Sequence, residues 1–259
     1  MTVLPSLFIS HGAPTLVFDL ESPSYNAIAD LADRLPAQPT GVIIVSAHWQ
    51  APTPCLTTAV EPETIHDFYG FPPGCYDLFY IAEGAPDLAV KAAGLIDGAT
   101  LDAERGLDHG AWVPLMLAFP AGDVPITQLS LPDSTDPMDS YALGRALAPL
   151  RDDGVLIVGS GGSVHNLRYW EPGSVEVTDW ARAFDETVAE AVHAGDLDTL
   201  AALPATPEGR QAHPTPEHYL PLLFAMGAAE GSVGTAAKGR DIFRGFHDGS
   251  LGMSLFAFD

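Results

Sequence analysis

Residues 41–48 have the sequence GVIIVSAH, and this stretch decides the fold class. Its first six residues form a continuous apolar run, with the length and β-branched composition typical of a strand buried on both faces of a sheet. Three further runs share this character. We therefore predict four buried strands: Ser6–Ser10 (SLFIS), Gly41–Ser46 (GVIIVS), Val124–Ser130 (VPITQLS) and Gly154–Gly159 (GVLIVG).

Helical patterns lie between and after these runs. The predicted helices are Tyr25–Arg34, Pro86–Ala99, Ser140–Leu150, Thr178–Ala194 and Glu217–Ala229. Strands that alternate with helices predict an α/β fold with a central, mainly parallel or mixed sheet and helices on both faces. Because no composition break marks a linker, we expect one domain over residues 1–259.

The stretch Ala51–Tyr80 differs from the rest, since it combines prolines and glycines with clustered aromatics (DFYGFPPGCYDLFY). We expect a long irregular segment over one end of the sheet, and loops of this length are often functional. Its aromatic residues, Tyr69 among them, are equally compatible with loop packing and with a wall against a substrate. Trp49, beside His48, has the same two interpretations.

Charge and cysteine content exclude several classes of function. The chain has 34 Asp and Glu against 11 Lys and Arg, for a formal net charge of -23, which disfavours binding to nucleic acid or to anionic membranes. Two cysteines cannot form a disulfide scaffold or a four-thiolate zinc site. The N-terminal segment lacks the basic region of a signal peptide, so we expect a soluble, cytoplasmic protein.

Histidines follow three of the four predicted strands. His11 comes directly after the first, His48 follows the second, and His165 follows the fourth. Ligand sites in open α/β sheets lie beyond the carboxyl ends of the strands, so these side chains are expected to converge. Imidazole is a common metal ligand, and the pattern predicts a metalloenzyme with its site at this edge.

Two other segments place histidines at predicted helix starts. His213 and His218 are the first and last residues of HPTPEH, where Thr215 is the expected N-cap. His109 lies in GLDHGAW, before another predicted helix. The glycine-rich GSGGS could instead cradle a phosphate, but it has neither a Walker lysine nor GxGxxG spacing. Serines near the histidines suggest a hydrolase, but no GxSxG motif is present.

Seven motifs follow one another along the chain: FISHGAP, VSAHW, YGFPPGCY, GLDHGAWVPL, PITQLSL, GSGGSVHNL and HPTPEHYLPLLFAMGAA. In this order they resemble the DOPA 4,5-dioxygenase branch of the class III extradiol ring-opening dioxygenases, which is related to the catalytic subunit of protocatechuate 4,5-dioxygenase. The resemblance extends from Phe8 to the C-terminal SLFAFD. It implies a mononuclear centre with Fe(II), a site that Zn(II) also occupies in this branch, a small aromatic diol as substrate, and O₂.

The resemblance also implies roles for individual residues. His11 and His48 match metal ligands of the family. In protocatechuate-cleaving relatives the third ligand is a Glu nine residues before a Gly-Ala pair, and counting back from Gly227 gives His218. The triad of two histidines and one carboxylate would thus become three imidazoles. His213 would lie in the second shell or beside the substrate.

The family's acid–base histidine matches His165, which the resemblance also allows to approach the metal, and the histidine of its DHG motif matches His109. A histidine near a catechol hydroxyl can take up a phenolic proton at neutral pH. Two alternatives stay open at this point. Three histidines and a water also suit a zinc hydrolase, and a non-enzymatic metal-binding protein is the third possibility. The sequence leaves the particular catechol and the oligomeric state, including a homo-oligomer, undecided.

Overall fold

The computed structural model describes residues 2–230 and 236–259. Its centre is an eight-stranded mixed sheet with the strand order β4-β3-β5-β2-β6-β1-β10-β7, and β8 and β9 form a separate two-stranded ribbon. The strands are β1 (Ser6–Ser10), β2 (Gly41–Ala51), β3 (Cys55–Thr57), β4 (Thr100–Asp102), β5 (Ile126–Pro132), β6 (Val155–Gly161), β7 (Gly239–Phe243), β8 (Phe246–His247), β9 (Leu251–Gly252) and β10 (Leu255–Phe258).

The helices cover both faces of this sheet. They are α1 (Pro23–Ala29), α2 (Leu31–Arg34), α3 (Pro86–Ala93), α4 (His109–Ala118), α5 (Pro137–Leu147), α6 (Asp179–Ala194), α7 (Leu197–Ala202), α8 (Pro207–Ala212) and α9 (Leu220–Ala228). The predicted α/β fold, with a mixed sheet between two helical layers, is confirmed. No helix in the described part of the chain has the length and apolar character of a membrane span.

Alternating side chains of the central strands fill both cores. Val42 and Ile44 point into a cluster with the residues of α1 and α4, whereas Ile43 and Val45 join a cluster with α5 and α9. All four side chains are fully buried. Neither face of such a strand contacts water, so apolar side chains are favoured at successive positions, which explains the continuous apolar run in the sequence.

All four predicted strands are present; β1 has its predicted bounds, and the other three differ at one or both ends. The second is longer than predicted, because it continues to Ala51, so that His48 lies within β2 and not after it. The first helix is divided at Asp30, and the predicted Pro86–Ala99 helix ends at Ala93. The segment Ala51–Tyr80 is mostly irregular, as expected, but it contains the short strand β3.

Three adjacent parallel strands, β2, β6 and β1, end at one edge of the sheet. His11 follows β1 directly and His165 follows β6 by four residues. The backbone N–H of His11 donates to the carbonyl of Gly161 at 3.1 Å, which ties the two strand ends together. The sheet therefore brings these histidines to one place.

Candidate metal centre and active site

An irregularity in β2 turns His48 toward this edge. Val45 pairs with Leu129 of β5 and Gln50 pairs with Leu131, so five steps along β2 correspond to two along β5. The extra residues of β2, His48 among them, depart from the regular ladder. Bulges of this kind re-aim side chains and are frequent beside active sites.

His218 reaches the same edge from a 3-10 turn, Pro216–His218, that precedes α9. Its carbonyl accepts from the backbone N–H of Gly162 at 2.9 Å. A Cβ at Gly161 would lie 2.1 Å from this carbonyl oxygen, so only glycine permits so close an approach. The end of β6 thus fixes the position of His218.

The side chains of His11, His48 and His218 offer ligand atoms within 4.8 Å of one another. The Nε2 atoms of His11 and His48 are 3.1 Å apart. Two nitrogen ligands of one metal ion, each about 2.1 Å from it and at right angles, lie about 3 Å apart, so this spacing is compatible with a shared ion. The structure brings together the three residues predicted as ligands, although their role as ligands stays a prediction.

The Nδ1 atoms of His11 and His218 already have hydrogen-bond partners. The Ser160 hydroxyl donates to the Gly110 carbonyl at 2.5 Å and therefore accepts from His11 Nδ1, which is 2.9 Å away. Glu217 Oε1 lies 3.1 Å from His218 Nδ1. His218 Nε2 is buried, and no partner lies among the described residues. Since a proton on Nδ1 leaves Nε2 with a free lone pair, both rings are prepared to bind a metal through Nε2.

Burial keeps these imidazoles neutral. It lowers the pKa of His11 and of His218 well below the ordinary value, and the neighbouring histidines reinforce the effect. Burial, followed by repulsion from His109, lowers the pKa of His48 to about 3. A metal binds only the deprotonated ring, so the site is ready for an ion at neutral pH.

Two further histidines border the three. The ring of His165 stacks on that of His218, with centroids 3.6 Å apart and planes 5° from parallel. The ring of His109 lies 3.9 Å from that of His48. Burial, and then repulsion from His109, lowers the pKa of His165 to about 4. Both predicted acid–base residues therefore adjoin the candidate ligands.

Asp67 is not among the residues predicted from the sequence, although it lies in the segment expected to be functional. Its Oδ1 accepts from the backbone N–H of His109 at 2.9 Å and lies 3.0 Å from His109 Nδ1. Its Oδ2 lies 3.8 Å from His48 Nδ1. Burial acts to raise the pKa of Asp67, but hydrogen bonds and charge from His109 outweigh it, and the pKa is below the ordinary value. His48, Asp67 and His109 form a second possible metal-binding group.

Gly110 allows the histidines to pack closely. A Cβ at this position would lie 2.3 Å from Ser46 Oγ, 3.0 Å from His48 Cδ2 and 3.2 Å from His11 Cε1. Any side chain here would push two candidate ligands out of place. The glycine of the DHG motif therefore has a steric explanation.

The three predicted substrate-binding residues lie outside the cluster of His11, His48 and His218. His213 is buried, lies 3.1 Å from the Ser163 carbonyl through Nε2, and packs against Phe184. The ring of Trp49 is covered by the guanidinium of Arg105 at 4.3 Å. Tyr69 is 92% exposed. A role for these residues at the substrate stays a prediction.

Comparison with known proteins identifies the family of this chain. The family described as the catalytic LigB subunit of aromatic ring-opening dioxygenase matches residues 5–247. This chain belongs to the LigB family. Members are metal-dependent, and the histidine cluster is a place where this chain could hold the ion.

Individual LigB relatives are similar over nearly their whole length. The chain is 38% identical to a 4,5-DOPA dioxygenase extradiol of Beta vulgaris, over 98% of this chain and 96% of that protein. It is 39% identical to a protein of the same name from Escherichia coli, over 89% of this chain and 87% of that protein. A solved structure of an uncharacterized E. coli K12 protein superposes with a TM-score of 0.82 at 31% identity, covering 99% of this chain and all of the other.

These relationships decide the class of reaction. The chain is a metal-dependent extradiol ring-opening dioxygenase, as its resemblance to this family predicted. The relatives named above are dioxygenases, which favours an oxygenase over the hydrolase and the non-enzymatic alternatives.

Proposed function

We propose that this enzyme opens the ring of a DOPA-like catechol with O₂ at an Fe(II) centre held by His11, His48 and His218. The observation that supports the site most directly is the pair of Nε2 atoms, 3.1 Å apart, on rings that burial keeps neutral. The substrate class is proposed from relatives named 4,5-DOPA dioxygenase extradiol. The catalytic domain comprises residues 1–259.

Three neutral imidazoles suit either of two metals. When bound there, Fe(II) would supply redox chemistry for the reaction of a catechol with O₂. Zn(II) also favours nitrogen ligands but has no accessible redox change. We therefore propose Fe(II) for activity, with Zn(II) as an occupant that leaves the enzyme inactive.

His109 and His165 provide proton transfer in this proposal. A catechol must lose phenolic protons before it can chelate a metal, and a neutral imidazole within reach accepts one. The low pKa of His165, about 4, means that its ring is neutral at pH 7 and releases an acquired proton readily. We assign His109 to the hydroxyl proton and His165 to acid–base steps of ring opening.

The remaining predictions complete the proposal. His213, Trp49 and Tyr69 are assigned to the substrate side of the site, and the partners are a small aromatic diol and O₂. A homo-oligomer and a cytoplasmic location stay predictions from the sequence, as does the absence of nucleic-acid and membrane partners.

The test uses the full chain, stripped of metal and reloaded anaerobically with Fe(II) or Zn(II) in separate samples. DOPA and simpler catechols are then added, and O₂ uptake and the yellow ring-opened product are followed together. We expect one O₂ consumed per product with Fe(II) and none with Zn(II). Uptake with Zn(II) alone, under rigorous exclusion of iron, would contradict the redox role. Ester hydrolysis by the zinc form, with an inert iron form, would support a hydrolase.

A further inference from the structure

We infer that Asp67 is a positioning residue that holds His109 as the Nδ1–H tautomer and so makes its Nε2 the proton acceptor of the site. This inference rests on the proposed role of His109 in proton transfer. It assigns a function to a carboxylate that lies between His109 and the candidate ligand His48.

Hydrogen-bond chemistry fixes the tautomer. An ionised carboxylate only accepts hydrogen bonds, so the contact of 3.0 Å between Asp67 Oδ1 and His109 Nδ1 requires the proton on Nδ1. In a neutral imidazole the other nitrogen, Nε2, is then the acceptor. The same Oδ1 accepts from the backbone N–H of His109 at 2.9 Å, so ring and backbone are held by one oxygen.

Asp67 is itself held in place by its neighbours along the chain. Ile65 donates from its backbone N–H to the Leu107 carbonyl at 2.8 Å and accepts from Trp112 Nε1 at 3.0 Å. Phe68 packs its ring against that of His109, with centroids 5.7 Å apart. The irregular segment is thus anchored on both sides of Asp67 to the start of α4, which a positioning residue requires.

The carboxylate also lies close to the candidate ligand His48. The Asp67 side chain is 23% exposed. Asp67 Oδ2 lies 3.8 Å from His48 Nδ1, the ring nitrogen opposite the candidate ligand atom Nε2.

The competing assignment makes Asp67 a ligand, since His48, Asp67 and His109 also lie close enough to hold a metal ion. The contacts favour positioning, because Oδ1 is already engaged by two donors of His109. A ligand and a positioning residue respond differently to substitution, and this difference decides the test.

The experiment compares D67A and D67N with wild type and with D77A, which alters an exposed aspartate of the same segment. The first readout is ¹⁵N NMR of the His109 ring in the zinc-loaded protein, which needs no turnover. We expect an Nδ1–H signature in wild type, D77A and D67N, whose amide oxygen still accepts, and its loss in D67A. An Nε2–H tautomer in wild type would overturn the inference, whatever the enzyme's activity.

The second readout separates positioning from metal binding. With Fe(II) loaded, we expect kcat of D67A to fall about 10²-fold, in the range of a general acid–base group, while KM changes by less than about threefold. The kcat of D67N should be at least about tenfold higher than that of D67A. Metal affinity, measured by competition with a chelator, should change far less than in H48A. A metal loss in D67A equal to that in H48A would make Asp67 a ligand and contradict the proposal.

Discussion

The imidazole of His165 lies face to face with that of His218, with ring centroids 3.6 Å apart and planes 5° from parallel. His218 Nδ1 is engaged by Glu217, and its Nε2 has no partner among the described residues. The stack therefore places a proton-transfer candidate against a candidate metal ligand without joining the two by a hydrogen bond. This arrangement separates what substitutions of the two rings should do.

We expect H165A to keep the metal and lose most turnover. A general acid–base group contributes about 10²–10⁴-fold to the rate, so kcat should fall within that range. Metal content and kcat are measured on the same preparation, with H193A as the control, since His193 lies on the surface and contacts Asp241. A near-normal kcat would remove His165 from the mechanism, and metal loss equal to that of H218A would make it a ligand.

Glu217 should tune the affinity for the metal. Its carboxylate lies 3.1 Å from His218 Nδ1, and residues that orient a ligand ring in this way are typically worth about 10–100-fold in metal affinity. We expect a loss of that size in E217A and a smaller one in E217Q, which keeps an acceptor oxygen. Competition with a chelator measures the metal affinity of each variant, and E208A, which alters an exposed glutamate, is the control. Equal affinities in E217A and wild type would show that Glu217 does not orient the ring.

A methyl group at Gly110 should disturb the ligands. In G110A the new Cβ would meet Ser46 Oγ at 2.3 Å and crowd the rings of His48 and His11, so we expect weaker metal binding and a lower Tm. G74A is the matched control, because a Cβ there meets only Phe18, at 3.7 Å. Unchanged metal affinity in G110A would mean that the rings can move without consequence.

The metal-free protein should lose stability in mild acid. Burial is the main cause of the lowered pKa of six histidines: His11, His48, His165, His213, His218 and His247. As the pH falls below about 6.5, the unfolded chain binds protons that the folded chain does not, so the free energy of unfolding falls. Each such histidine costs about 1.4 kcal/mol per pH unit until its folded pKa is reached. Burial raises the pKa of Asp108, which opposes this trend, but it is one group against six histidines.

Urea unfolding of the metal-free protein at pH 7.5 and 5.5 measures this effect. We expect a free energy of unfolding that is lower by several kcal/mol at pH 5.5, and a smaller loss with Zn(II) bound at pH values where the rings keep the metal. Equal stability at both pH values would show that these rings are not held neutral by burial.

The sequence predicted the centre of the sheet better than its edges. The strands β1, β2, β5 and β6 are buried on both faces, and the apolar run of each strand predicts this burial from local sequence alone. The strand β3 has only three residues, and β7 is partly exposed, so neither leaves a clear pattern. The strand β10 forms by antiparallel pairing with β1, about 250 residues earlier in the chain, and pairing at that distance has no local signal.

The candidate site divides in the same way. Histidines at adjacent strand ends can be predicted to converge, because the topology of an α/β sheet requires it. The placement of His218 came from the spacing of a family motif, and the structure sets it beside His11 and His48. Asp67 could not be found this way, since its contact with His109 depends on the path of an irregular segment, which no periodic pattern describes.

The central claim is that three imidazoles, and not a mixed set with a carboxylate, hold the metal. A crystal structure of the metal-loaded protein, with anomalous scattering recorded at the metal edge, tests this most directly. The account predicts one ion bound by Nε2 of His11, His48 and His218 at about 2.0–2.2 Å, with His165 and His109 beside it. An ion bound instead by His48, Asp67 and His109 would contradict it.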